Sequence, residues 1–494
     1  MIELTTADLV SITGGRITAT ADPGATVAGV ATDSRECSEG WLFVAKPGEV
    51  SDGHHFIDRA FAAGAVLALA EHETLDPDGA VHPAVIVQDA VIAMGQVAAH
   101  LVALLRQQGT QVVGITGSAG KTTTKDLLAA ILATAGPTVA PIGSYNGEVG
   151  VPLTVFGATT DTRYLVIEMG ATGIGHITYL TDMVKPDTGV VLCVGTAHAG
   201  EFGGVENIAR AKGELVEALP VDGTAILNLD DPRVAAMASR TRATVLGFSM
   251  DDDGSGAAVS ATDIVIGADG CPEFTLTLPG GHSHRIRSGL IGRHHVANLL
   301  AAAAAAHALG IDGAVIAGTL QDRGPASRWR MERTERADGV SIINDAYNAN
   351  PESMRAALRT LAELGLPGAD GTARRTWAVI GEMLELGADS IHEHDLIGRL
   401  AVRLNIKKLV VVGRGAKAAH NSAVLEGSWG DEAYFVETPD EAEQLLQEQL
   451  EPGDIVLFKS SNSSGLRHLG DRVAAHAVPS GPTGTPATGI GGAR

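Results

Sequence analysis

Lys121 closes a glycine-rich run, Gly114-Ile115-Thr116-Gly117-Ser118-Ala119-Gly120, and is followed by Thr122-Thr123-Thr124-Lys125. An ammonium, hydroxyls and closely spaced glycines suit one task, the binding of phosphate. Glycine lets the backbone pass phosphate oxygens with no Cβ in the way. Lys121 can reach the β- and γ-phosphates of a nucleotide, and the Thr122 hydroxyl can hold Mg²⁺. The residues predicted to cradle phosphate are Gly117, Ser118, Ala119, Gly120, Lys121, Thr122 and Thr123. The strict spacing G-x-x-x-x-G-K-[ST] is not met: five positions before Gly120 stands Ile115, and the nearest glycines are Gly114 and Gly117.

The flanks supply the elements that must position this loop. Val112-Val113 is apolar, and Asp126-Leu127-Leu128-Ala129-Ala130-Ile131-Leu132 spaces its apolar residues as a helix does. Strand, glycine turn, helix is the order that aims loop amides and a helix N-terminus at an anion. Tyr164-Leu165-Val166-Ile167-Glu168 reads as a buried strand ending in a carboxylate. Ligands of open α/β sheets bind at the carboxyl edge of the strands. Glu168 is therefore either a group that reaches Mg²⁺ or a solvated strand-end acid. Gly189 to Val194, followed by Gly195-Thr196-Ala197-His198, repeats the geometry. Two strand ends delivering Glu and His beside a phosphate loop suggest a metal site, although Mg²⁺ prefers oxygen ligands. Asn207 to Leu215 reads as a helix in which Lys212, taken alone, is an exposed lysine. Asn146 and Thr154, in Ser144-Tyr145-Asn146-Gly147-Glu148-Val149-Gly150-Val151-Pro152-Leu153-Thr154, either line a substrate channel or form a plain turn and cap.

The run Thr116-Gly117-Ser118-Ala119-Gly120-Lys121-Thr122 resembles the phosphate loop of the Mur ligases, the ATP-dependent amide ligases of peptidoglycan precursor synthesis. Asn344-Asp345-Ala346-Tyr347-Asn348-Ala349-Asn350-Pro351 and Gly381-Glu382-Met383-Leu384-Glu385-Leu386-Gly387 resemble in particular the members that add D-alanyl-D-alanine. The resemblance runs from about Ala31 to about Leu469. It implies ATP and Mg²⁺ at two sites, with Thr122, Glu168, His198 and Lys212 as metal groups and Lys121, Lys212, Glu168 and His198 as the catalytic set. Lys212, in Ala211-Lys212-Gly213-Glu214, corresponds to a lysine that the family carbamylates with CO₂. Gly292-Arg293-His294-His295-Val296-Ala297-Asn298 resembles the adenine-side contact, with Asn298 as the polar reader; the family commonly has Asn where this chain has His295. Arg330, Asp345 and Asn348 would meet the nucleotide after domain closure, while Lys459-Ser460-Ser461-Asn462 departs from the family's usual Lys-Gly-Ser-Arg. Asp33-Ser34-Arg35 and Asp52-Gly53-His54 resemble elements that cradle the UDP-sugar, which implicates Ser34, Arg35, Asp52 and His54 in substrate binding. The implied partners are UDP-N-acetylmuramoyl-tripeptide and D-alanyl-D-alanine, joined through an acyl phosphate by a cytoplasmic enzyme expected to be a monomer.

The implied fold is α/β in three domains: residues 1 to about 107 for the UDP substrate, about 108 to 325 for a central parallel-sheet ATPase domain, and about 326 to 478 for a Rossmann-like domain. Residues 479–494, rich in Pro, Gly and Thr, read as a disordered tail. A net charge of −22 argues against a nucleic-acid surface, which needs a basic stripe. The cysteines Cys37, Cys193 and Cys271 are far apart and odd in number, so neither a zinc site nor a disulfide framework is expected. No stretch offers ~18 consecutive apolar residues, so no membrane insertion is expected, and the apolar run Leu299 to Leu309 reads as a buried helix. Two rivals share the loop. Another Mur ligase or a folylpolyglutamate synthase would add a different amine. A P-loop switch or transport ATPase would form no amide, and a switch GTPase should carry an Asn-Lys-x-Asp run that the chain lacks.

Overall fold

Alternate residues of the central strands point to opposite faces and enter two different cores. Val112, Leu165, Val191 and Leu227 join one apolar cluster, and Val113, Val166, Val190 and Ile226 join the other. Strands buried on both faces read as continuous Val/Ile/Leu runs and form parallel sheets covered by helices. The computed structural model, which describes residues 1–48, 51–195, 202–250, 256–368, 371–427 and 430–475, has this arrangement. The chain groups into two units. The first is Met1–Arg328 with Asn350–Ala356 and Leu384–Ser390; the second is Trp329–Ala349, Ala357–Met383 and the chain from Ile391 onward.

In the first unit a nine-stranded sheet has Gln111–Thr116 between Tyr164–Glu168 and Thr188–Val191, all parallel. Thr224–Asn228 and Thr244–Ser249 extend it in parallel on one side and Thr138–Val139 on the other. Helices Lys121–Leu132 and His295–Ala308 cover one face. Ala301 to Ala306 are fully buried, and their small side chains let that helix lie close to its neighbours. Helices Ala90–Gln107, Gly150–Phe156, His176–Val184 and Val205–Glu217 contribute to the core on the other face. The expected central parallel sheet is present, but it continues into an antiparallel ribbon, Val259–Ile266, Pro272–Leu278 and His282–Arg287. Its middle strand alternates buried and part-exposed residues and its last is mostly exposed, so no unbroken apolar run announces it.

The N-terminal part of this unit holds a five-stranded sheet. Gly29–Ala31, Trp41–Val44, Ala65–Ala70 and Ala84–Ile86 are parallel, and Arg16–Ile17 is an antiparallel edge. Among the described residues one helix, Ala90–Gln107, is long and apolar enough to cross a membrane; half of it is buried inside the fold. The second unit is a six-stranded sheet in which Ser341–Asn344, Ile455–Lys459, Thr376–Ile380, Lys408–Val412 and Ala433–Val436 are parallel and Glu332–Glu335 is an antiparallel edge.

Candidate active site

The phosphate loop is stitched to the end of the neighbouring strand. Ser118 N donates to Cys193 O at 3.0 Å, Ala119 N to Cys193 Sγ at 3.4 Å, and Gly195 N to Ser118 Oγ at 2.9 Å. A Cβ on Gly117 would lie 2.9 Å from Leu192 Cβ, so only glycine admits this approach. Gly120 has φ +83° and caps helix Lys121–Leu132; its Cβ would fall 2.3 Å from Asn298 Oδ1. The helix starts at Lys121, five residues before the apolar stripe that announced it. Lys121 Nζ donates back to Gly117 O at 2.7 Å.

Glu168 ends its strand one step from this loop and is 1% exposed. Its Oε2 accepts from Thr122 Oγ1 at 3.0 Å. Its Oε1 accepts from Ser144 Oγ at 2.7 Å and from Asn146 Nδ2 at 2.9 Å. A buried carboxylate has lost its hydration, and such partners replace it. The donors hold both oxygens in fixed directions, one of them beside the hydroxyl that the loop offers. Lys212, on helix Val205–Glu217, is 5% exposed, and among the described residues it has no hydrogen-bond or ion-pair partner. Burial, with the charge of Lys121 added, pushes its amine down to about 7. Across the loop, Asn298 Oδ1 accepts from Thr124 Oγ1 at 3.5 Å, and its Nδ2 lies 3.1 Å from His295 Nδ1. His295 is buried and held neutral by that burial, with the neighbouring His294 adding to the effect.

Three family profiles divide the chain: "Mur ligase family, catalytic domain" matches residues 26–108, "Mur ligase middle domain" 115–306, and "Mur ligase, glutamate ligase domain" 329–462. The UDP-N-acetylmuramoyl-tripeptide–D-alanyl-D-alanine ligase of Mycobacterium tuberculosis is 44% identical over 96% of this chain and 98% of its own. The chain belongs to the Mur ligase family. A crystal structure of MurF from Acinetobacter baumannii superposes with a TM-score of 0.82 at 31% identity, over 96% of this chain and 99% of that one. MurF ligase from Thermotoga maritima in complex with ADP gives 0.73 at 26% identity, over 90% and 96%.

In this Mur ligase the residues expected from the sequence fall into three groups. Thr122, Glu168 and Asn146 meet in one hydrogen-bonded cluster, whereas Thr154 donates its hydroxyl to Gly150 O within its own helix at 2.9 Å. His198 lies outside the described residues. In the second unit the Arg330 guanidinium stacks on Tyr347 at 4.4 Å. Asp345 accepts from Met331 N at 3.1 Å and from Lys459 Nζ at 2.6 Å, and Lys459 also donates to Asn348 O at 3.1 Å. In the N-terminal sheet, Ser34 is buried and Arg35 pairs with Asp33, two residues away. His54 accepts Glu71 N at Nε2 (3.0 Å), so its Nδ1 carries the proton shared with Asp52 at 2.5 Å.

Three further Mur ligase residues escaped sequence reasoning. Ser144 reads in the chain as a turn serine; only the fold brings it to Glu168. Lys459, in a run that departs from the family pattern, is a buried partner of Asp345. Lys125, just after the loop, is 2% exposed and donates to Pro141 O at 2.9 Å while pairing with Asp126.

Proposed function

We propose that this Mur ligase joins D-alanyl-D-alanine to the terminal carboxyl of UDP-N-acetylmuramoyl-tripeptide, with ATP driving the reaction. The supporting observation is the Thr122–Glu168 pair beside Lys121, in a chain that matches D-alanyl-D-alanine ligases almost end to end. Bound ATP supplies the γ-phosphoryl group that turns the carboxylate into an acyl phosphate, from which the amine of D-alanyl-D-alanine displaces phosphate to form the amide.

The donor set fits Mg²⁺. Thr122 and Glu168 offer hard oxygens, and Mg²⁺ is held by one or two carboxylates plus phosphates and water rather than by a full protein cage. Among the described residues no group of three or more His, Cys, Asp or Glu forms a cage for a softer metal. Lys121 holds the β- and γ-oxygens and lowers the cost of charge shifting toward the leaving phosphate. Ser144 and Asn146 keep Glu168 aimed. Lys212 is suited to carbamylation: its buried amine has a large neutral fraction near pH 7, and only the neutral amine attacks CO₂, forming an N–C bond and releasing a proton. The product is an anion where a cation would repel the metal. We propose that His198 joins that second metal, that Asn298, Arg330, Asp345 and Asn348 meet the nucleotide, and that Ser34, Arg35 and Asp52 meet the UDP part. The enzyme is read as cytoplasmic and monomeric.

The test is ADP release measured with each substrate omitted and with a panel of amines. Release that needs both the tripeptide substrate and D-alanyl-D-alanine supports the reading. Brisk ATP hydrolysis without either would refute a ligase, and preference for another amine would move the chain to a sibling activity.

A further inference from the structure

Three consecutive residues of helix Val205–Glu217 have three different duties. Lys212 is buried, with the ammonium of Lys121 near enough to add to burial in disfavouring its charged form. Gly213 is overlain by the guanidinium of Arg240: a Cβ there would sit 1.8 Å from Nη1. Arg240 donates to Ala209 O at 3.1 Å, to Arg210 O at 2.8 Å and to Glu217 Oε1 at 2.9 Å, so it grips the helix on both sides of Gly213. Glycine inside a helix is unfavourable relative to alanine, and this close approach accounts for it. Glu214 is 8% exposed and reaches a different helix, His176–Val184. That helix has no side-chain cap of its own. Glu214 supplies one: Oε1 accepts Gly175 N at 2.7 Å, and Oε2 accepts Thr178 N at 2.9 Å and Thr178 Oγ1 at 3.0 Å. A carboxylate at a helix N-terminus is favoured by the unpaired amides and the dipole there. The loop it pins follows the strand that ends in Glu168.

We propose that Gly213, Glu214 and Arg240 are positioning residues that fix the rotation of this helix and so aim Lys212 at the metal side of the phosphate loop. The proposal rests on the reading of Lys212 as a carbamate-bearing metal group. Arg240 sets the helix from the outer side, and Glu214 locks it to the segment that follows Glu168. A rotation of one residue would exchange Lys212 for Gly213 or Ala211 and remove the ligand.

The test compares Glu214→Gln, Gly213→Ala, Arg240→Ala and the Gly213→Ala/Arg240→Ala double variant with Lys212→Ala. The measurements are kcat, KM for the UDP substrate, the Mg²⁺ concentration for half-maximal rate, the carbamate signal in ¹³C NMR with labelled bicarbonate, and a thermal scan. Groups that orient a metal ligand cost about 10- to 100-fold when removed, so kcat should fall by at least tenfold. The Mg²⁺ requirement should rise, the carbamate signal should weaken, and KM should hold. Gly213→Ala displaces a flexible guanidinium while favouring the helix, so its melting temperature should not drop although its kcat does. Its effect should not add to that of Arg240→Ala, because both remove one contact. Native turnover and carbamate signal in Glu214→Gln and Arg240→Ala, with Lys212→Ala inactive, would overturn the positioning role and leave the reading of Lys212 standing. Full activity of Lys212→Ala would overturn that reading and this proposal with it.

Discussion

The phosphate loop and the N-terminal turns around Ser34 and His54 use similar side chains to different ends. At the loop, Thr122 from a helix and Ser144 and Asn146 from one turn converge on Glu168, and Lys212 is buried with no partner among the described residues. In the N-terminal turns the polar groups pair one to one, two of the three pairs joining residues two apart in the chain. Arg35 pairs with Asp33, and the two ring nitrogens of His54 are spent on Asp52 and Glu71 N. Convergence from distant elements, with an ionisable group left unpaired, marks a site prepared for a ligand. Local satisfaction marks a turn held in shape. The same residue types therefore do not deserve the same functional weight.

The strongest test of this contrast is Lys121→Ala. Removing a donor aimed at developing charge costs about 10²–10³ in kcat, and the fold should be unaffected because Lys121 Nζ is bonded to its own loop at Gly117 O. Steady-state ADP release settles it, and near-normal turnover would reduce the loop to structure. Ser144→Ala comes next. It takes one of the donors from a buried carboxylate, so kcat should drop about tenfold and the Mg²⁺ requirement should rise. Unchanged Mg²⁺ dependence would mean that Glu168 is as locally satisfied as His54.

How much of this was legible beforehand follows from how far apart the partners lie in the chain. The loop itself is contiguous, and the strand ending in Glu168 is an unbroken apolar run, so both could be read directly. The Ser144–Glu168 bond joins turns 24 residues apart, and the Gly175–Glu214 bond spans 39; neither has a local signature. The antiparallel ribbon was hidden because its residues alternate instead of running apolar. Lys212 looked like a surface lysine because its own helix is rich in polar residues; its burial is decided by what packs on it. For His54, Asp-Gly-His reveals the turn but not that one ring nitrogen meets Asp52 and the other meets Glu71 N, 17 residues further on.

His54→Ala sharpens the other side of the comparison. It strips Glu71 N of its acceptor and Asp52 of a donor in a largely buried turn, a loss of about 1–3 kcal/mol. Denaturation should show lower stability while kcat stays native. A variant of native stability with a raised KM for the UDP substrate would return His54 to the substrate.

Arg35 tests the contrast at its finest. Its side chain is 69% exposed, and it faces Asp33, whose carboxyl it holds down at about 2. Asp33 is therefore ionised throughout the range in which the enzyme would be assayed, and the ion pair persists there. A phosphate of the UDP substrate would have to share the guanidinium with that carboxylate, in water and under screening by salt. The expected effect of Arg35→Ala is accordingly small: KM for the UDP substrate rises about two- to fivefold at low salt, the scale of an exposed charge contact, while kcat and melting temperature stay native. The rise should fade in high salt, because counterions weaken exposed pairs first. Asp33→Asn separates the two possible duties of the pair. If Asp33 merely competes for the guanidinium, its removal lowers KM; if it holds Arg35 in position for phosphate, its removal raises KM toward the Arg35→Ala value. A KM that ignores both substitutions at low salt would place Arg35 with His54, as a side chain whose chemistry is spent on partners within the protein.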